Sequence, residues 1–246
     1  MLTPSRNAKL QLICDHLRHT ADPSRGWALA AITGDLDIPS VKPAAIRELV
    51  ASRVDPVLFG LSYDYVGDLA ETISLIWPQR PGANRAPDLA EIVETLIEST
   101  KAQGLKLVAG WLDALDSTGR WGLLKLITGG LRVGVSARLA RQAVADFGKV
   151  DVAEIEELWH GMSPPYLDLF AWLEGRAPKP VSGALAPFRP VMLSHPIEDG
   201  DLDRLDPAAF AAEWKWDGIR VQAVAEGDRR RRYSRTGDDI SGAFPD

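Results

Sequence analysis

One cysteine, Cys14, in 246 residues excludes an intramolecular disulfide and any zinc site built from several thiolates. So low a thiol content suits a reducing compartment, and a cytoplasmic location is expected. No stretch approaches the roughly eighteen unbroken apolar residues of a membrane span. The opening Met-Leu-Thr-Pro-Ser-Arg-Asn also lacks the apolar core of a secretory leader, so no membrane partner is expected. Net positive charge is missing too: 28 Lys+Arg against 34 Asp+Glu leave −6, which excludes a globally basic nucleic-acid coat but allows a local basic patch. His16, His19, His160 and His195 do not converge on carboxylates or thiols at metal-ligand spacing, so no metal site is expected from them. A composition 46% hydrophobic and 25% charged is that of a folded globular chain.

What is present divides the chain in two. Up to about residue 176 apolar residues recur at helical spacing: Leu10, Ile13, Cys14 and Leu17 fall at i, i+3, i+4 and i+7, opposite Lys9, Asp15 and Arg18. The same period predicts helices over 43–53, with Pro43 in the first turn, and over 62–77, where Val66, Leu69, Ile73 and Ile76 face inward and Pro78 stops the helix. Further helices are expected over 88–103, 105–116, 119–128, 136–147, 151–160 and 164–174. Trp27, Trp77, Trp111, Trp121, Trp159 and Trp172 lie among Leu and Ile at helical spacing and read as core or interhelix packing, and Cys14 as a small buried hydrophobe.

From Gly175, four prolines and two glycines in sixteen residues end the helical pattern and read as a linker or extended crossing segment. Beyond it, Phe210–Trp216, Ile219–Ala225 and Arg231–Arg235 read as short strands, the last two joined by the turn Glu226-Gly227-Asp228. About forty residues of sheet with open edges are not expected to be stable alone, so the chain is expected to be the front part of something longer. The expected fold is mainly α: a helical domain over 1–176, a linker over 177–205, and over 206–246 the first strands of an incomplete α+β domain.

The most informative stretch is Glu213-Trp214-Lys215-Trp216-Asp217-Gly218-Ile219-Arg220, followed by Ser234-Arg235-Thr236-Gly237. A lysine flanked by tryptophans is expected to be partly desolvated, which favours the neutral amine and makes Lys215 a candidate nucleophile. Asp217-Gly218 supplies a turn that lets the backbone approach a ligand. Arg220 offers a fork of donors for phosphate or ribose oxygens, and Glu213 an acceptor for an exocyclic amine. Taken alone, Lys-x-Asp-Gly would read as an exposed ion pair on a surface hairpin. The whole octet is specific: it resembles the nucleotidyltransferase signature Glu-x-Lys-x-Asp-Gly-x-Arg of ATP-dependent DNA ligases, shared with RNA ligases and mRNA-capping enzymes, and Ser234–Gly237 resembles their Ser-Arg-x-Gly motif. The resemblance implies ATP and Mg²⁺ as cofactors, a lysyl-AMP on Lys215, an ATP site of Glu213, Lys215, Arg220 and Arg235, and contact of Arg235 with the 5′-phosphate of a nick.

A second segment separates the relatives. Arg120, Lys125, Arg132, Arg138, Arg141 and Lys149 face one acid, Asp146, within residues 120–149, whereas 151–174 carry six acids and no Lys or Arg. Inside the basic stretch, a Gly-rich turn leads to a helix capped by Ser136, and Gly130, Arg132, Gly134, Ser136 and Arg138 form a candidate phosphate seat. Ile127-Thr128-Gly129-Gly130-Leu131-Arg132-Val133-Gly134 resembles a segment in the N-terminal DNA-binding domain of large ATP-dependent DNA ligases, and Gly67-Asp68-Leu69-Ala70-Glu71 a helix start there. Of the run Arg229–Arg232, two side chains are expected at solvent or DNA and the others paired with acids. The expected partner is nicked double-stranded DNA, bound by a monomer. The chain alone is expected to bind DNA without ligating. A non-catalytic DNA-binding remnant and an RNA ligase or guanylyltransferase relative remain as alternatives.

Overall fold

The computed structural model describes residues 3–78, 85–181, 186–189, 196–211, 213–214, 216–235 and 237–244. It comprises two compact units, one of Met1–Val150 with Ser163–Lys179, the other of Asp151–Met162 with Pro180–Asp246.

The first unit is a helical assembly. Its elements are α1 (Arg6–His19), α2 (Ser24–Thr33), α3 (Pro43–Ala51), α4 (Pro56–Val66), α5 (Leu69–Ile76), α6 (Leu89–Glu98), α7 (Lys101–Ala114), α8 (Ser117–Ile127), α9 (Ala137–Gly148) and α11 (Leu167–Leu173). Most start on a side chain that accepts an orphan N–H of the first turn: Ser5, Asp55, Asp68, Asp88, Thr100, Asp116 and Ser136 each do so. Helices α3 to α8 enclose one core of Ile46, Val50, Phe59, Ile73, Trp77, Leu96, Val108, Leu112, Leu124 and Ile127. Beside it, Trp27 of α2 packs on Ala90 and Val93 of α6.

Two helix expectations need correction. The run 62–77 is two helices, because Gly67 adopts the left-handed conformation at φ +74° and Asp68 caps the next start through Glu71 N–H. Residues 88–103 break at Ser99, where Thr100 and Gln103 form a reciprocal capping box that begins α7 early. Helix α2 and the first half of α4 carry no sequence expectation; in α2, Ser24, Arg25, Gly26 and Thr33 are mixed with apolar residues and no periodic face stands out. Thr100→Ala is expected to lower stability by about 1 kcal/mol, read as a shift of the urea midpoint.

α1 and α9 pack side by side and run in the same direction: Lys9 meets Gly134 just before α9, and Cys14 Sγ donates to Ala143 O at 3.3 Å further along. Cys14 is buried, as expected, and burial pushes its thiol pKa up. Trp27, Trp77, Trp111 and Trp159 are buried, whereas Trp121 is exposed and lies 5.9 Å from Lys125 Nζ. The buried face of α8 is Arg120, Leu123, Leu124 and Ile127, and Trp121 falls off it.

In the second unit, α10 (Val152–Trp159) precedes His160, whose ring packs on Tyr233 at 4.8 Å and Phe188 at 5.9 Å. The unit carries one antiparallel hairpin, β1 (Val221–Glu226) and β2 (Arg229–Ser234), with Gly227 at φ +55° in a two-residue turn. Residues 186–189 lie against it: Ala186 N–H donates to Glu226 at 2.7 Å, and the Gln222 amide exchanges two bonds with the Arg189 backbone. The expected strand over Phe210–Trp216 is absent among the described residues. Phe210, Trp214 and Trp216 are exposed, with no neighbouring strand to take their backbone groups or cover their rings. No helix among the described residues is long and apolar enough to cross a membrane.

Candidate nucleotidyl-transfer motif and nucleic-acid interface

The octet ends at Arg220 where β1 begins, and the second motif begins at Ser234 where β2 ends. Because Val221 pairs with Ser234, the antiparallel register brings Arg220 and Arg235 to the same end of the hairpin. Two motifs distant in sequence therefore converge. Lys215 lies outside the described residues, as does Thr236. Around Lys215, Glu213, Asp217 and Arg220 are exposed, and the chain bends at Asp217-Gly218, where a Cβ on Gly218 would meet open space. The expected shielding by tryptophan is not supplied: Trp214 and Trp216 are 85% and 83% exposed. These rings stand in solvent because no described residue forms a wall against them.

The turn bearing Arg235 is tightly built. Ser234 Oγ donates to Asp238 at 2.9 Å and accepts from Asp238 N–H at 3.1 Å, while Gly237 N–H donates to Ser234 O at 3.0 Å. Gly237 sits at φ +86° with Phe188 so close that a Cβ would lie 3.0 Å from its ring. Tyr233 anchors the strand from beneath, fully buried, with its hydroxyl donating to Ala186 O at 2.8 Å. Burial raises its pKa. Arg235 itself is exposed at the head of this loop. Asp238 and Tyr233 were not legible as site supports.

The arginine run divides otherwise than expected. Arg231 pairs with Asp239 at 3.2 Å, but Arg232 donates to the carbonyl of Phe244 and Arg230 to that of Gly227. Only one of the four has an acid partner among the ion pairs of the described residues. A short strand with a bent return offers carbonyls nearer than carboxylates.

In the helical unit, the basic stretch also resolves into two kinds of cation. Arg120 and Arg141 are buried; Arg120 donates to Leu112 O at 2.7 Å and Trp77 O at 3.1 Å, and desolvation lowers its pKa. Lys125 is bound to Asp68, and that hydrogen bond lowers the Asp68 pKa. Arg132, Arg138 and Lys149 are the exposed members. The local charge read from the sequence therefore overstates what the surface presents, because Arg120 and Arg141 are buried and Lys125 is paired with Asp68.

Arg132 and Arg138 flank the segment expected to seat phosphate. Ser136 caps α9 by accepting Leu139 N–H at 3.2 Å, and the exposed Arg138 is the second residue of that first turn. Gly134 lies at φ +68°, a conformation glycine adopts without strain, and Gly130 N–H donates to Lys125 O at 2.9 Å. All five sequence-named residues thus lie on one continuous turn and helix start. Among the described residues no group of three or more His, Cys, Asp or Glu could hold a metal ion.

Comparisons with known proteins cover both regions. Residues 191–246 match the family model described as ATP dependent DNA ligase domain. A protein of Streptomyces griseus named probable DNA ligase is 33% identical over 252 residues, covering 97% of this chain and 47% of the relative. A probable DNA ligase of Anaeromyxobacter dehalogenans is 26% identical over 99% of this chain and 45% of its own length, and a DNA ligase of Thermococcus fumicolans 27% identical over 73% and 34%. The chain spans between about a third and a half of the length of these curated relatives. The octet and the second motif lie inside the matched ATP dependent DNA ligase domain, and the helical unit lies inside the longer alignments, so the chain is similar along its length to proteins named DNA ligase.

Proposed function

We propose that the protein carrying these residues seals nicks in double-stranded DNA with ATP, in the cytoplasm and as a monomer, using 1–176 to hold the duplex and 206–246 to begin the adenylating domain. The observation that supports this most is the register that sets Arg220 and Arg235 at one end of the hairpin, directly after the lysine motif. In this reading the neutral amine of Lys215 attacks the α-phosphorus of ATP. A P–N bond forms, the bond to the pyrophosphate oxygen breaks, and the amine gives up a proton to solvent.

Glu213 would accept from the adenine exocyclic amine, and Arg220 and Arg235 would hold phosphate oxygens with forked donors. Asp217-Gly218 would let the backbone pass close to the nucleotide. Arg235 then serves the 5′-phosphate of the nick, to which AMP is passed before the 3′-hydroxyl displaces it. The donor set suits a triphosphate, being cationic. It does not suit a free divalent ion, so Mg²⁺ would enter on the nucleotide.

DNA is held without base reading, by Arg132, Arg138 and the backbone of 130–136, as a sealing enzyme that accepts any sequence requires. Incubated with ATP labelled at the α-phosphate and with Mg²⁺, the protein carrying this chain is expected to retain label in an acid-labile bond. Addition of nicked duplex is then expected to move the label onto the 5′-phosphate end. Label retained from GTP rather than ATP, or passed only to RNA ends, would overturn the reading.

A further inference from the structure

We propose that Lys9, on the N-terminal helix, is a positioning residue for the phosphate seat at 130–136; the inference rests on the DNA-binding reading above. Lys9 Nζ donates to Gly134 O at 2.7 Å across 125 residues of sequence. A trans peptide sends its C=O and N–H in opposite directions, so a cation on the Gly134 carbonyl also fixes where the Val135 N–H points. That peptide is the hinge of the seat, since Gly134 is its left-handed residue.

The segment itself alternates. Leu131, Val133 and Val135 are partly buried, while Arg132, Gly134 and Ser136 are exposed, so apolar side chains hold its back and the outward face is left to polar groups. Its start is tied by Gly130 N–H to Lys125 O and its end by the Ser136 cap. Lys9 supplies the tie in the middle. The tie is stiff because α1 is fixed against α9: Ile13, one turn along from Lys9, is buried, and Cys14 bonds Ala143 O. Lys9 and Arg6 also sit in the first turns of α1 with no acid beside them, a placement that the helix dipole opposes. Helix stability therefore does not account for a cation there, whereas the bond to Gly134 does.

The test is fluorescence anisotropy with a labelled nicked duplex over a series of salt concentrations. Lys9→Met is expected to weaken binding on the order of tenfold, the scale of a charge-assisted hydrogen bond. Its circular dichroism and urea midpoint are expected to stay close to the parent's, the slope of log affinity against log salt to stay unchanged, and Lys9→Arg to restore most of the affinity. The double variant Arg132→Ala/Arg138→Ala removes phosphate contacts and is expected to reduce that slope by about 2. If the double variant binds like the parent, the DNA-binding reading of this segment falls. If it loses binding while Lys9→Met does not, only the role of Lys9 falls. A slope lowered by Lys9→Met itself, or no rescue by Lys9→Arg, would likewise overturn positioning.

Discussion

Lys215→Ala is expected to retain no label from ATP, a loss on the order of 10⁴-fold or more, because removing a nucleophile leaves the remaining contacts with nothing to deliver. Lys215→Arg is the sharper variant. The guanidinium keeps the positive charge and most of the length but stays protonated at any working pH, so it cannot attack phosphorus. It is expected to bind ATP and to form no adduct, which separates attraction of the triphosphate from chemistry on it. Retained adduct formation in either variant would remove Lys215 from the role. Both variants are expected to bind nicked duplex as the parent does, since the seat around Arg132 belongs to the other unit. Exposure of Trp214 and Trp216 adds a point: the desolvation that would favour the neutral amine is not provided by these rings.

The second large effect is structural. Arg25 of α2 is buried and makes forked bonds to two carboxylates: to Asp22 at 2.7 Å from both Nε and Nη2, and to Glu174 at 2.6 and 3.0 Å. Its guanidinium lies 4.3 Å from the Phe170 ring centroid. Burial alone would lower the arginine pKa, but the bonds to Glu174 and Asp22 outweigh it and raise it. Arg25→Met fills similar volume yet leaves Asp22 and Glu174 with only the more exposed Arg176 as a cationic partner, and is expected to cost about 3 kcal/mol, measured by urea unfolding of the chain. A cost below about 1 kcal/mol would show the cluster to be dispensable.

The same cluster sets an acid limit. Glu174 is depressed from 4.5 to about 2, first by the Arg25 hydrogen bond and further by Arg176. A depressed carboxylate contributes stability that is fully present above its unfolded pKa and is lost as pH falls through the folded one. The parent is therefore expected to lose stability between about pH 4.5 and 2, by roughly 1–2 kcal/mol from this group once screening of its partly exposed carboxylate is allowed for. In Arg25→Met that part of the pH dependence is expected to shrink.

What was legible in the sequence were local features with a local cause. The amphipathic period of α1, the Ser136 cap of α9, the prolines after Gly175 and the turn at Gly227 each state their structure within a few residues. The octet at Glu213–Arg220 was legible as a pattern of residue types at fixed spacing, but the strand and the tryptophan shielding expected around it are absent among the described residues. Features decided by distant partners were not legible. Arg120 and Arg141 read as surface charge because nothing local says that α8 and α9 turn them inward. At Gly67 and Asp68 two readings competed: an apolar period running through 62–77, and a resemblance to a helix start, which is the one the Asp68 cap bears out. Lys9 and Gly134 meet because two helices pack in parallel, and Asp238 supports Ser234 because the chain folds back after β2; neither relation has a spacing to read.

The bond between Cys14 and the Ala143 carbonyl has a practical consequence. As the chain's single thiol, buried and with its pKa raised, Cys14 can react with an alkylating reagent only when α1 lifts from α9. The native sequence thus contains its own opening clock: the alkylation rate counts how often the helix carrying Lys9 leaves its place, and its slowing by a bound duplex would report engagement of that face without any added label.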